Sequence, residues 1–284
     1  VFSNSGGQTA ADFLRIGLSA RAAGIGDAST AFSKGVEAAY WNPAGLVLLT
    51  PRVEILSSHF LWYQDINVDH CAIAYRLHRG IVVAASIVYV NYGDIDGYDI
   101  SGNATGEKLD AYDLSGAFST GIQLWKGFTA GATVKVINQR LIHLSARTIA
   151  FDFGLRMQLG TIILGGAVVN LGPDIVIGHY AEKLPLSFRV GTSFTFYNDE
   201  LYTVFDIDFP KYGIISFHTG IEYCMQKRYY LRTGIKMHIN TFRPQPSLGA
   251  GVKFNNVTIN YAYVPGNGFI HDPLHKFSLT LGIM

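Results

Sequence analysis

The side chains able to do chemistry in this 284-residue chain are charged groups spaced two apart within alternating stretches. Ser216, His218, Gly220, Glu222 and Cys224 share one face of one stretch, and Arg232, Gly234, Lys236 and His238 share one face of the next. Folding the two about Gln226, Lys227 and Arg228 sets Glu222 opposite Arg232. The same operation about Asn198 and Asp199 sets Arg189 opposite Asp208, with Asp206 one step away on the same face. Opposite charges meeting on a face otherwise made of small residues is the chemistry of ion pairing in a polar interior. Such pairs fix the packing of a filled interior, whereas charges without partners would mark a substrate path.

Signatures of catalysis are missing. The chain has no GxSxG, HExxH, GxxxxGK[ST] or CxxC. Gly24 and Gly26 form a GxG with neither a third glycine nor a preceding strand, which argues against a nucleotide fingerprint. The nine histidines are scattered without metal-type spacing. Cys71 and Cys224 lie mid-strand, cannot make a disulfide framework and read as packing residues. The expectation is therefore no enzyme, no metal and no cofactor.

The elements that must position these charges follow from composition and period. Charged residues are 15% of the chain against roughly 25% in soluble domains, while aromatics are 13% and glycines number 31. The formal net charge of +1 supplies no field for nucleic acid. No apolar run reaches the roughly 20 residues of a transmembrane helix, which leaves the closed barrel as the one other membrane-spanning solution. From Arg52 onward the pattern has period two, and strands can be marked at 52–63, 67–79, 80–93, 111–126, 127–140, 147–159, 161–171, 184–198, 199–210, 213–226, 228–239, 245–254, 255–264 and 274–284. Fourteen antiparallel strands of this length predict an all-β transmembrane barrel. Turns at 79–80, 126–127, 160–161, 198–199, 226–228 and 255–256 are short and alternate with longer loops at 94–110, 140–147, 172–183, 210–213, 239–244 and 265–273. Alternation turns Phe277, Leu279, Leu281 and Ile283 toward lipid, and places His70, His78, His218 and His238 inside with His59 outside.

Residues 21–46 do not alternate. They are rich in small side chains and end in Trp41, Asn42 and Pro43, where Asn before Pro leaves the α region. Short helical pieces are expected from Asp12 and from Asp27 or Ser29. With a barrel behind it, this stretch reads as a hatch: residues 1–50 form an N-terminal extension and plug, and 51–284 the barrel. Its residues Arg15, Arg21, Asp27 and Glu37 should find partners on the wall, Trp41, Asn42 and Pro43 complete it, and Asn42-Pro43 marks its end. Gly165 and Gly166 form either a strand kink or a close-packing surface for the plug. The chain opens at Val1 without a charged or apolar leader, so either there was no signal peptide or the numbering begins at the mature end, and the mature end of a bacterial outer-membrane protein is the expectation.

Residues 13–28 (FLRIGLSARAAGIGDA) and 38–46 (AAYWNPAGL) resemble the N-terminus of PorV/PorQ-type outer-membrane proteins, relatives of the FadL long-chain fatty-acid transporters. The resemblance continues in LPLSFRVG from Leu184, GIEY from Gly220, LRTG from Leu231, PSLGAGVKF from Pro246, YAY from Tyr261 and HKFSL from His275. It implies a fourteen-stranded barrel with a lumenal hatch. It further implies either an interaction partner in protein export or surface assembly, of the type IX secretion kind, or a passive transporter of long-chain fatty acids or other hydrophobic small molecules. The expected partners are the lipid bilayer, a protein such as a secretion translocon, and a lipid or fatty-acid ligand, with no nucleic acid. The external loops are short for cargo docking, and the last residue, Met284, departs from the usual aromatic ending. Because the assignable interior residues are Gly, Ser, Thr and paired charges, the interaction reading is the expected one.

Overall fold

The computed structural model describes residues 9–62, 66–93, 95–99, 101–197, 199–240, 243–266 and 272–284. The expected polar extension before residue 9, Asn198 of one short turn, and parts of the loops at 94–110, 239–244 and 265–273 lie outside the described residues.

The wall begins with β1 (Val53–Leu61), β2 (Asn67–His78) and β3 (Ile81–Asn91), followed by a small loop hairpin, β4 (Ile95–Tyr98) and β5 (Ala104–Leu109). It continues with β6 (Ala111–Trp125), β7 (Phe128–Leu141), β8 (Leu144–Leu159) and β9 (Ile162–Leu171), then a second loop hairpin, β10 (Ile175–Ile177) and β11 (Tyr180–Glu182). The last run is β12 (Ser187–Phe196), β13 (Leu201–Pro210), β14 (Ser216–Met225), β15 (Tyr229–His238), β16 (Pro244–Phe254), β17 (Val257–Val264) and β18 (Leu274–Ile283). Leaving aside the two hairpins, fourteen strands close one antiparallel barrel, sealed where β1 meets β18 with Val53 opposite Ile283 and Phe60 opposite Lys276. Closure removes every unpaired edge, which a barrel in hydrocarbon requires.

Period-two sequence makes these strands because each has two unlike faces. On β14 the inward set Ser216, His218, Glu222 and Cys224 is buried while Phe217, Ile221 and Tyr223 are exposed outward. The same holds on β18, where Lys276 and Ser278 are buried and Phe277, Leu279 and Ile283 point out. Cys224 is buried, but Cys71 lies on the exposed outer face, so the expectation of an inward packing role fails for it. His78 likewise sits exposed, because a bulge between Arg76 and His78 ends the alternation of β2 at its turn.

The loop expected at 140–147 is a two-residue turn. β7 and β8 extend until Leu141 faces Leu144, and Ile142 takes a left-handed φ of 56°. Gly165 and Gly166 do not kink β9: both keep their partners on β8 and β12. The irregularity lies farther along, between Phe151 and Phe153 of β8, where Asn170 opposite adopts φ 61°.

Residues 9–49 fill the lumen with short pieces: a 3-10 turn at Asp12–Arg15, α1 (Ala20–Gly24), a 3-10 turn at Gly35–Glu37, α2 (Ala38–Trp41) and a 3-10 segment at Pro43–Leu48. Ser19 caps α1 by accepting the Ala22 amide at 3.1 Å. Asn42 caps the last segment by accepting the Ala44 amide at 3.1 Å, with Pro43 in the first position, where its missing N–H costs nothing. Asn42-Pro43 therefore does not end the plug. It starts a further turn, and the wall begins only at Val53.

Candidate functional site

The hatch meets the wall on two chemically different sides. Toward β12–β18 the contacts are ionic. Arg21 donates to Glu37 at 2.9 Å and to both oxygens of Glu222, at 3.0 and 3.2 Å. Glu222 also accepts from Arg232 at 2.6 Å, and Arg232 in turn donates to Asn260 at 3.0 Å. Burial pulls the Arg21 guanidinium toward neutrality, but Glu222 and Glu37 outweigh it and hold its pKa above the ordinary arginine value. Asp27 lies 3.7 Å from Lys236, and Lys276 donates to the Gly17 carbonyl while its ammonium sits 4.1 Å over the Phe60 ring. Arg189 pairs with Asp208 at 3.6 Å and lies 5.2 Å over the Trp41 ring. Asp206 accepts the Thr30 amide at 2.6 Å, and Arg15 donates to the Tyr212 carbonyl at 2.6 Å.

Two close contacts fix the other end of the plug. Asn42 donates to the Leu155 carbonyl at 3.1 Å and to the Thr30 carbonyl at 2.8 Å. A Cβ at Gly154 would overlap its Oδ1, and one at Gly131 would overlap the Pro43 backbone. Gly165 has the same function, since a Cβ there would stand 2.6 Å from the Ala31 Cα.

One ionic cluster and several partners were not legible. Lys135 pairs with Asp152 at 2.7 Å and donates to Asn170 at 2.8 Å, while Asp152 accepts the Asn170 amide at 2.8 Å. Neighbouring strands carrying Lys and Asp on the inner face were the available signal, but their register depends on the extended β7–β8 turn. His218, on the inner face of β14, bonds the Gly26 carbonyl through Nδ1 at 2.7 Å.

At the loop end of β1–β3, β7 and β8, beside the Lys135–Asp152 cluster, a patch of the interior is apolar instead. Phe60, Val68, Val88, Val90, Ile137 and Ala150 are buried on the wall, and Phe13, Leu14 and Leu18 of the hatch pack against them. This corrects the expectation of an interior made of small and charged residues. At the same loop end, a cavity of about 200 Å³ opens between the two loop hairpins, lined by Ile95, Leu141, Leu144 and Ile177 with Ala111 and Tyr92. Its floor is polar: Asp113 accepts from the Tyr92 hydroxyl at 2.7 Å and from Gln139 at 2.8 Å, and Gln139 accepts the Ala11 amide of the hatch at 3.1 Å.

Two polar cavities flank α1 on the ionic side. One, of about 250 Å³, reaches from Arg21 and Glu37 to the short-turn rim at Asn255 and Asn256. The other, of about 420 Å³, reaches from Asp27 and Lys276 to the loop rim at Asp272. Among the described residues no group of His, Cys, Asp and Glu has the geometry to hold a metal ion.

The chain matches no family model and no curated protein sequence. Solved structures match it over nearly its whole length. The Ralstonia pickettii toluene transporter TbuX aligns with a TM-score of 0.68 at 15% identity, covering 94% of this chain and 99% of that one. The Pseudomonas putida toluene transporter TodX gives 0.67 at 13%, covering 93% and 96%. A Pseudomonas aeruginosa FadL homologue gives 0.62 at 11%, covering 92% and 98%. At these identities the likeness establishes the architecture: this chain has the fold of the FadL-like barrels, a closed wall of fourteen antiparallel strands with short helical segments at its N-terminus.

Proposed function

We propose that the chain is a bacterial outer-membrane barrel for the passive uptake of hydrophobic small molecules. The observation that carries this reading is the apolar patch of the lumen. The cavity beside Ile95, Leu141, Leu144 and Ile177 shares Tyr92 with the buried set Phe60, Val68, Val88, Val90 and Ile137, and Ala111, Asp113, Gln139 and Arg140 complete its lining. A hydrophobic solute gains by leaving water for such a surface at about 25 cal/mol per Å². In this reading it settles first in the cavity, then takes the place of Phe13 and Leu14 as the hatch yields. The resemblance in architecture to barrels named as toluene transporters supports a monoaromatic or similarly compact solute.

The outward band of Ile73, Ile87, Phe118, Phe153, Leu231 and Phe277 suits a hydrocarbon environment, which supports the membrane location. The export-partner reading, and the PorV/PorQ assignment behind it, rest on the sequence motifs alone. The entry step is tested by binding: toluene titrated into the purified barrel should saturate a site that Leu141→Asn with Leu144→Asn abolishes. Equal affinity in that variant would count against the cavity.

A further inference from the structure

The short-turn rim carries a charge pattern that neither the hatch nor the lumen uses. Arg52 precedes β1, Arg79 lies in the β2–β3 turn, Lys126 in the β6–β7 turn, and Lys227 and Arg228 in the β14–β15 turn. All five are exposed. Around the closed wall these turns follow one another along a single arc from β14 through β1 to β7. Of the acids of this rim, Glu54 on β1 turns inward and accepts the Val36 amide at 2.7 Å, while Asp199 and Glu200 stand together before β13, outside the arc. Among the described residues none of the five cations enters an ion pair. At the loop rim Lys108 pairs with Asp96 at 2.8 Å and Lys183 with Asp174 at 2.6 Å, while among the described residues Arg140, Arg147 and Lys211 are exposed without an ion pair.

Aromatic rings accompany the cations. Arg228 lies 5.5 Å over Tyr229 and 5.6 Å over Phe254. Arg52 lies 5.5 Å over Tyr75 and donates to its hydroxyl at 2.8 Å. Lys126 sits in the turn between Trp125 and Phe128, whose rings stack at 4.3 Å. Each group thus presents a ring able to lie at the acyl–headgroup boundary with a cation at headgroup level. The five exposed cations leave this arc with a local excess of positive charge that an anion from outside the chain can meet.

We infer that this arc binds the phosphates of anionic phospholipids in the leaflet that surrounds the short turns, with Arg52, Lys126 and Arg228 as its three anchor points. The inference rests on the membrane reading above and adds a lipid preference to it. Lipid headgroups fit better than a soluble polyanion because the rings belong to the outward face of the strands, where acyl chains lie.

The test places the full-length barrel in vesicles of phosphatidylcholine alone and of phosphatidylcholine with about one third phosphatidylglycerol, then measures by native mass spectrometry which lipid the extracted protein retains. Phosphatidylglycerol should be enriched severalfold over its share in the vesicle, and the enrichment should fall as salt rises. Arg52→Gln with Lys126→Gln and Arg228→Gln should bring the retained lipid back to the vesicle composition. Asp199→Lys with Glu200→Lys, which alters no cation, should raise the enrichment and covers the case in which the first variant does not fold. Retention of phosphatidylglycerol at its vesicle share by the unaltered chain, or undiminished enrichment in the triple variant, would overturn the inference. Failure to insert into either vesicle would instead overturn the membrane reading.

Discussion

Arg21 on α1 is joined to Glu222 on β14 by two hydrogen bonds, Nε to Oε2 at 3.0 Å and Nη2 to Oε1 at 3.2 Å. Glu222 therefore serves two guanidiniums at once, since Arg232 donates to the same Oε2 at 2.6 Å. The wall pair Glu222–Arg232 is also the anchor of the hatch.

This three-body arrangement ranks the variants. Arg232→Gln leaves Glu222 held by Arg21 and should be the milder change. Glu222→Gln leaves two buried guanidiniums without their shared acceptor, and breaking such a pair costs about 3–5 kcal/mol. Exchanging the two, Glu222→Arg with Arg232→Glu, should not restore the native state, because the new arginine faces Arg21. Thermal unfolding and protease access to residues 9–49 in detergent check the order. Full recovery in the exchange variant would show that Arg21 does not matter to the pair.

Gly131 and Gly154 are places where the wall must have no side chain, because a Cβ would overlap the Pro43 backbone or Asn42 Oδ1. Gly131→Val with Gly154→Val should leave the strands paired, since Val suits an extended backbone, but should unseat the segment from Asn42 to Leu48. The expected result is a normally folded barrel with a single-channel conductance severalfold above that of the unaltered chain in planar bilayers. Deleting residues 1–46 should open a larger pore still.

Acid should loosen the hatch at Asp27. Burial raises its carboxyl, but the positive charges of Lys236, Lys276 and Arg189 prevail and hold it below the ordinary value. A carboxylate depressed in the folded state contributes stability in full above its unfolded pKa, about 3.9. That contribution is lost as pH falls through the lower folded value. Conductance should therefore be quiet from pH 7 to about 5 and rise below about 4. Asp27→Asn should show raised conductance at pH 7 and a smaller acid step.

The positions of all fourteen wall strands were legible because each has an exposed outer face and a buried inner one, and that difference writes period two into the chain. The apolar patch of the lumen was not, for the same reason. In β3 Val82, Ala84, Val88 and Val90 face inward while Ile81, Ile87 and Tyr89 face outward, so both faces are apolar and the alternation that distinguishes them fades. The hairpins β4–β5 and β10–β11 are too short to show a period. The hatch pieces, of three to six residues, are shaped by packing against the wall and not by a repeating face of their own. Of the charged residues, Glu222 and Arg232 could be paired by counting along one tight turn. The Arg21 bond, spanning 201 positions, could not.

Uptake of a hydrophobic solute along the apolar patch, past the Tyr92–Asp113–Gln139 floor, is tested most directly by flux. Cells whose outer leaflet is lipopolysaccharide, which retards toluene, should take it up faster when they carry the unaltered barrel than when they carry an unrelated sealed barrel. Ile137→Asp, which puts a carboxylate into the buried apolar set two residues from Lys135, and Ile137→Asn, which adds polarity without charge, should each remove most of that excess, about tenfold for the cost of placing a polar group in an apolar path. Toluene flux equal in cells carrying the unaltered barrel, either Ile137 variant and the unrelated barrel would contradict hydrophobic uptake through this chain.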